Sequence, residues 1–161
     1  MEKKKIEFTY GIVQDIRDLE SADAALLARA RAVTVDAYAP YSKFRVGAAA
    51  RLANGEIVAG TNQENASFPV GICAERVLLG SASVLFPGVA IDTLAISYES
   101  DLVKSDHPIS PCGMCRQALQ ESEIRGGKPM RLILGGQEGE IIIVDTATDL
   151  LPFAFLPTEI G

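Results

Sequence analysis

The sequence has no Trp, a single His and only three Cys, and its rings are limited to six Phe and four Tyr. With so few aromatics, the core has to be built from Ala, Val, Ile and Leu. An odd number of cysteines cannot all pair as disulfides, and the N-terminus lacks the apolar centre of a signal peptide. The expectation is a reducing compartment, the cytoplasm, where clustered cysteines are more often ligands or catalysts than bridges. No apolar run is long enough to span a bilayer, so no membrane partner is expected. Excess positive charge is also missing. The net charge is -6 and Lys3-Lys4-Lys5 is the one basic run, which leaves no electrostatic footprint for a nucleic acid polymer.

What is present suits a compact globule. A chain of 161 residues that is 48% hydrophobic and 22% charged can bury one core without disulfide or metal staples. Residues 1–20 form an extension of uncertain structure, with Lys5 to Val13 readable as a strand or an arm. Ser21 is placed to cap a helix with Leu26, Leu27, Ala30 and Val33 as its apolar stripe, ending near Ala37 ahead of Pro40. Phe44 to Leu52, Asn54-Gly55 and Glu56 to Gly60 read as strand, turn and returning strand. The polar stretch Thr61 to Pro69 is too rich in Asn and Glu for a core. Cys73 to about Leu85 is apolar on nearly every side and reads as a buried helix. Gly80 within it costs stability unless a neighbour packs there. Thr93 to Tyr98 reads as a buried strand, Glu99 to Ile109 as a polar loop, and Ser110 with Pro111 as the start of another helix. A hairpin over Met130 to Leu134 and Glu140 to Val144 follows. This order predicts a single three-layer α/β/α domain over residues 21–161, with a mixed sheet of about five strands.

All three cysteines fall in two segments, Cys73-Ala74-Glu75-Arg76 and Pro111-Cys112-Gly113-Met114-Cys115-Arg116. Each segment opens a helix, where free N–H groups and the helix dipole favour thiolates. Cys112 and Cys115, three apart, share one helix face. Three thiolates can hold a tetrahedral zinc and leave its fourth position to water. Glu75, a carboxylate on an apolar helix, is costly to bury unless it is paired or working; beside such a water it can move protons. Arg76 and Arg116 are candidates to donate to the thiolates and offset an over-anionic site. Other uses of the cysteines stay open at this point: a redox dithiol, unrelated buried thiols, or a closed zinc completed by His107, the one histidine available.

The pattern resembles the zinc-dependent cytidine deaminases of the small homotetrameric class, whose signature is a glutamate two residues after a ligand and a later P-C-x-x-C. The likeness runs through Ala39-Pro40-Tyr41-Ser42-Lys43-Phe44, Asn62-Gln63-Glu64-Asn65-Ala66, both cysteine segments and Leu150-Leu151-Pro152-x-x-Phe155. It implies a cytidine deaminase-like fold and hydrolysis of free cytidine and deoxycytidine to uridine, deoxyuridine and ammonia, as in pyrimidine salvage. A zinc-bound hydroxide would attack and Glu75 would shuttle protons. Cys73, Cys112 and Cys115 match the ligands, and Asn62 and Glu64 match residues that bind the ribose hydroxyls. Phe44 matches a residue of the pyrimidine pocket and Ala74 one whose backbone meets the base. Phe155 matches an aromatic supplied by a neighbouring subunit of a homotetramer with shared sites. A deaminase of a nucleoside antibiotic such as blasticidin S is the alternative. Where the family often has Tyr this chain has Phe68, and residues 1–20 and the loop from Glu99 to Ile109 have no clear counterpart.

Overall fold

In the computed structural model, which describes residues 1–160, a mixed sheet is flanked by helices on both faces. Its strands are β1 (Gly11–Val13), β2 (Phe44–Leu52), β3 (Ile57–Thr61), β4 (Ile91–Ser100), β5 (Arg131–Gly135) and β6 (Ile141–Val144). They lie in the order β1-β6-β5-β4-β2-β3. Only β4 and β5 run parallel. The sheet thus has six strands where about five were expected. The extra one is β1, a short edge strand paired with β6 through Gly11 and Ile143. Of the segment Lys5 to Val13, readable as a strand or an arm, only Gly11–Val13 pairs as a strand. Residues 1–10 are exposed and outside any element.

Strand alternation sorts the core into two halves. Ala48, Ala50, Leu94, Ile96, Leu132 and Leu134 face the helices α2 (Ala74–Leu85) and α3 (Gly113–Gly126), meeting Leu78, Leu79 and Leu119. Ala49, Ala95 and Ile133 face α1 (Ser21–Ala32), meeting Leu26, Leu27 and Ala30. Asp23, buried on α1, forms ion pairs with Arg131 and Arg51 and ties that helix to β5 and β2. No helix among the described residues is long and apolar enough to cross a membrane.

Helix boundaries differ from expectation where caps are involved. The N-cap of α1 is Glu20, with Ser21 inside the helix, and a 3-10 turn over Val33–Asp36 carries the chain on to Ala37. α3 begins at Gly113 with Cys112 as its N-cap, two residues later than a Ser110 cap implies. α2 is not buried on every side: Val84 and Leu85 are 79% and 64% exposed. Nothing in the chain packs within 4 Å of a side chain built at Gly80.

Gly60 sets the position of α2. A β-carbon there would lie 2.6 Å from the backbone N of Leu78 and 2.7 Å from the carbonyl of Ala74, both rigid helix backbone. Gly60→Ala therefore forces the first turns of α2 off β3, an overpacking cost of about 1–3 kcal/mol. Urea unfolding measures it. A variant as stable as the wild type would show that α2 is not held by this contact.

Candidate active site

α2 and α3 bring the cysteines together. Cys73 and Cys112 occupy equivalent places, the N-caps of the two helices, in extended backbone geometry, and neither sulfur caps its own helix. Cys115, within the first turn of α3, is buried. All three are free thiols whose sulfurs lie within 4.8 Å of one another. Cys73 and Cys112 Sγ are 3.8 Å apart. Zn–S bonds of about 2.3 Å at tetrahedral angles would put two sulfurs about 3.8 Å apart. The cluster therefore fits zinc.

Cys73 is pulled down to about 6 by the hydrogen bond from Cys115, and further by Cys112 and the charge of Arg76, against desolvation and Glu75. Cys115 is pushed up because it donates to Cys73, and burial adds to this. His107 does not join them. Its imidazole lies against the Tyr98 hydroxyl and the Asp106 carboxylate, and no fourth His, Cys, Asp or Glu completes the cluster among the described residues. The arrangement is three ligands with one position left over, the pattern of a catalytic rather than a closed structural site.

Glu75 sits on the first turn of α2, two residues from Cys73, and is 4% exposed. Burial pushes its carboxyl up, opposed by its own backbone N–H and by the Cys115 thiol. Ala74, fully buried, lies between Cys73 and Glu75. Arg76 is half-buried. Arg116 does not reach a thiolate: its Nε donates to the Pro111 carbonyl at 2.9 Å and its Nη1 to the Leu150 carbonyl at 3.1 Å. The guanidinium instead braces the backbone just before Cys112.

A cleft of about 500 Å³ opens beside Cys73, lined by Tyr41, Asn62, Glu64, Phe68 and Ile72 among others. That volume suits a small ligand. Glu64 Oε2 accepts from the backbone N–H groups of Tyr41 and Ser42 at 2.9 and 3.3 Å. Desolvation raises its pKa, but these bonds and the Ser42 hydroxyl outweigh it and hold the carboxyl below its ordinary value. Asn62 is knitted to β2: its Oδ1 accepts from Val46 N at 2.7 Å and its Nδ2 donates to the Phe44 carbonyl at 2.9 Å. Phe44 itself does not line the cleft. Its half-buried ring stacks on Tyr98 at 4.9 Å. Phe155 is also outside the cleft, 60% exposed, with its carbonyl held by Gln117 Nε2 at 2.8 Å. A smaller cavity of about 190 Å³, lined by Phe86, Ser122 and Arg125, contains no cysteine or carboxylate and is not the site.

Tyr41 and Phe68, noted in the sequence only as a motif member and as a departure from the family, emerge as lining residues. Their rings meet edge to face at 5.7 Å, a contact between segments 27 positions apart that only folding creates.

Comparison with known proteins agrees with this geometry. Residues 20–126 match the family described as the cytidine and deoxycytidylate deaminase zinc-binding region. Cytidine deaminase of Halalkalibacterium halodurans is 37% identical over 125 residues, covering 78% of this chain and 87% of that one. Blasticidin-S deaminase of Bacillus cereus is 35% identical over a shorter stretch, covering 50% of this chain and 59% of that one. The crystal structure of cytidine deaminase from Burkholderia pseudomallei superposes with a TM-score of 0.70 at 39% identity, covering 81% of this chain and 97% of that one. With the three thiols, the buried glutamate and the flanking cleft in place, the chain belongs to the zinc-dependent cytidine deaminase family.

Proposed function

We propose that this protein deaminates free cytidine and deoxycytidine, with Cys73, Cys112 and Cys115 as zinc ligands and Glu75 as the proton carrier. The observation that carries the reading is the position of Glu75. It is a buried carboxylate two residues from Cys73, a thiol of a zinc-sized cluster that itself lines the cleft holding Asn62 and Glu64. Zinc, when bound, supplies a Lewis acid that makes water nucleophilic near neutral pH. The reaction adds water to C4 of cytosine and expels the amine, so cytidine plus water gives uridine plus ammonia.

The residues divide the remaining work. Glu75 takes a proton from the attacking water, gives one to N3, and then transfers the proton of the new C4 hydroxyl to the departing amine. A carboxyl raised by burial suits a group that must both accept and donate. Glu64 is held ionised, with one oxygen on backbone N–H groups and the other free to accept a ribose hydroxyl. Asn62 retains a spare N–H and lone pair beside it. The backbone at Ala74 meets the base, and Phe44 backs the pyrimidine pocket from behind the cleft lining, where its carbonyl anchors Asn62. Arg76 offsets the anionic charge of the thiolates, while Arg116 acts through the backbone ahead of Cys112. The ribose-directed pair favours cytidine over blasticidin S, and salvage of pyrimidines in a reducing cytoplasm suits three free thiols.

The reading extends to a homotetramer with shared sites. The outer face of α2 offers Val77, Val84 and Leu85 around an uncovered Gly80, and Phe155 stands free to reach a neighbour. A second copy packing on this face would explain a helix glycine that the single chain leaves without a partner.

Two experiments test these readings. Zinc-loaded protein mixed with cytidine is expected to reduce the cytidine absorbance band and release ammonia. Glu75→Gln should keep its zinc and fold but lose about 10²–10⁴ in kcat. Activity on blasticidin S and none on cytidine or deoxycytidine would assign the alternative. For the assembly, Gly80→Ala gains about 1 kcal/mol of helix stability if the site faces water but clashes if a copy packs there. Light scattering should find a wild-type tetramer and a variant shifted to smaller species. A monomeric wild type that Gly80→Ala only stabilises would contradict the shared-site arrangement.

A further inference from the structure

The chain upstream of β1 is extended, and its side chains fall on two faces. Lys5 pairs with Glu7, and the rings of Phe8 and Tyr10 meet at 6.3 Å. Both contacts join residues two apart, which share a face along a strand and not around a helix. Ile6, Phe8, Tyr10 and Ile12 therefore line one face of this arm, and Lys5, Glu7, Thr9 and Gly11 the other. Each of the four apolar residues is between 44% and 58% exposed, so the chain's own core does not take up that face.

Among the described residues the arm has no strand beside it. β1 pairs with β6 only as far back as Gly11 opposite Ile143, and β6 ends at Val144. The other side of β1 is the open edge of the sheet. Unpaired N–H and C=O groups along such an edge are a template for another strand. Ile12 stands opposite Ile142, which packs on the α2 and α3 half of the core. Residues opposite each other share a face, so the apolar face of the arm lies on that side of the sheet.

The arm is complementary to itself. In an antiparallel pair of two arms centred on Thr9, Ile6 of each lies opposite Ile12 of the other, and Phe8 opposite Tyr10. All the apolar side chains then stand on one face. Lys5 meets Val13 and Glu7 meets Gly11, so no like charges are opposed. Centring the pair on Phe8 or on Tyr10 instead puts Ile12 opposite Lys4 or Ile6 opposite Gln14. Charge points to the same occupant. Residues 1–10 carry three lysines against two glutamates on a chain whose net charge is -6, so the arm is drawn to the acidic body of a second copy.

We propose that residues 5–13 are an assembly arm that pairs antiparallel with the same segment of a second copy, joining two sheets edge to edge across a two-fold axis. The contact is separate from the outer face of α2 and from the chemistry of the cleft, and it stands or falls without them. So short a strand pair is below the standard interface size, and the association is reversible on dilution.

A cysteine at the two-fold axis tests this. Thr9→Cys puts two thiols on opposite residues, about 4.5–5.5 Å apart at Cα, within disulfide reach. Glu7→Cys is the control, because its thiol faces Gly11 of the other arm and lies about 13 Å along the strand from its counterpart. Zinc-loaded full-length protein in oxidised glutathione should give disulfide-linked dimers of Thr9→Cys about ten-fold faster than of Glu7→Cys. In sedimentation without oxidant, Phe8→Asp removes both Phe8–Tyr10 pairs and should raise the dissociation midpoint about ten-fold. Equal cross-linking of the two variants, no cross-link from Thr9→Cys, or an unchanged midpoint would each overturn the proposal. Wild-type binding to phosphatidylserine vesicles that Phe8→Asp abolishes, with no Thr9→Cys cross-link, would assign the arm to an anionic membrane surface and overturn it as well.

Discussion

Three sulfurs have to meet at one point, and they arrive on two different helices. That constraint governs much of the rest of the fold. Each helix presents a cysteine at its N-cap, where the backbone is extended and the dipole favours an anion, and α3 adds Cys115 from within its first turn. A shift of either helix by an ångström would spoil the 3.8 Å separation of Cys73 and Cys112. Small residues in the sheet protect that separation. Gly60 lets α2 settle against β3 backbone to backbone, and Ala48 and Ala50 present only small, fully buried side chains on that face of β2. On the far face Gly47 lets the sheet approach α1, where an added β-carbon would strike the Ala30 carbonyl.

The same geometry decides the electrostatics. With the thiols this close, hydrogen bonding among them pulls Cys73 down to about 6 and pushes Cys115 up. Glu75 is buried within the same turn and opposes the thiolate of Cys73, which is tolerable only where a cation or its protons balance the charge. Away from the sulfurs, Glu64 is treated oppositely: it sits at the mouth of the cleft, where two backbone N–H groups and a hydroxyl keep it ionised. Two carboxylates, Glu75 buried beside the thiols and Glu64 lining the cleft, are tuned in opposite directions. That division matches a proton carrier beside the sulfurs and a hydroxyl acceptor in the cleft.

Much of this was legible in the sequence because it is local. The C-A-E and P-C-x-x-C segments carry their ligands and their helix starts together, and the hairpins read around Asn54-Gly55 and over Met130 to Val144 placed four strands. What escaped is what depends on distant contacts. β1 is defined only by its pairing with β6. Arg116 stands beside Cys115 in the chain, yet its guanidinium turns to Pro111 and to Leu150, 34 residues on. Cap positions shifted because Cys112, not Ser110, proved to be the last non-helical residue of its segment.

The central claim is that three thiolates hold zinc and leave its fourth place to water, with Glu75 alongside. X-ray absorption at the zinc edge of the loaded protein tests it most directly. The expected shell is three sulfurs at about 2.3 Å and one oxygen at about 2.0–2.2 Å, with no imidazole scattering beyond it. A fourth sulfur, or the outer-shell signature of a bound His107, would mean a closed structural site and would contradict the catalytic reading.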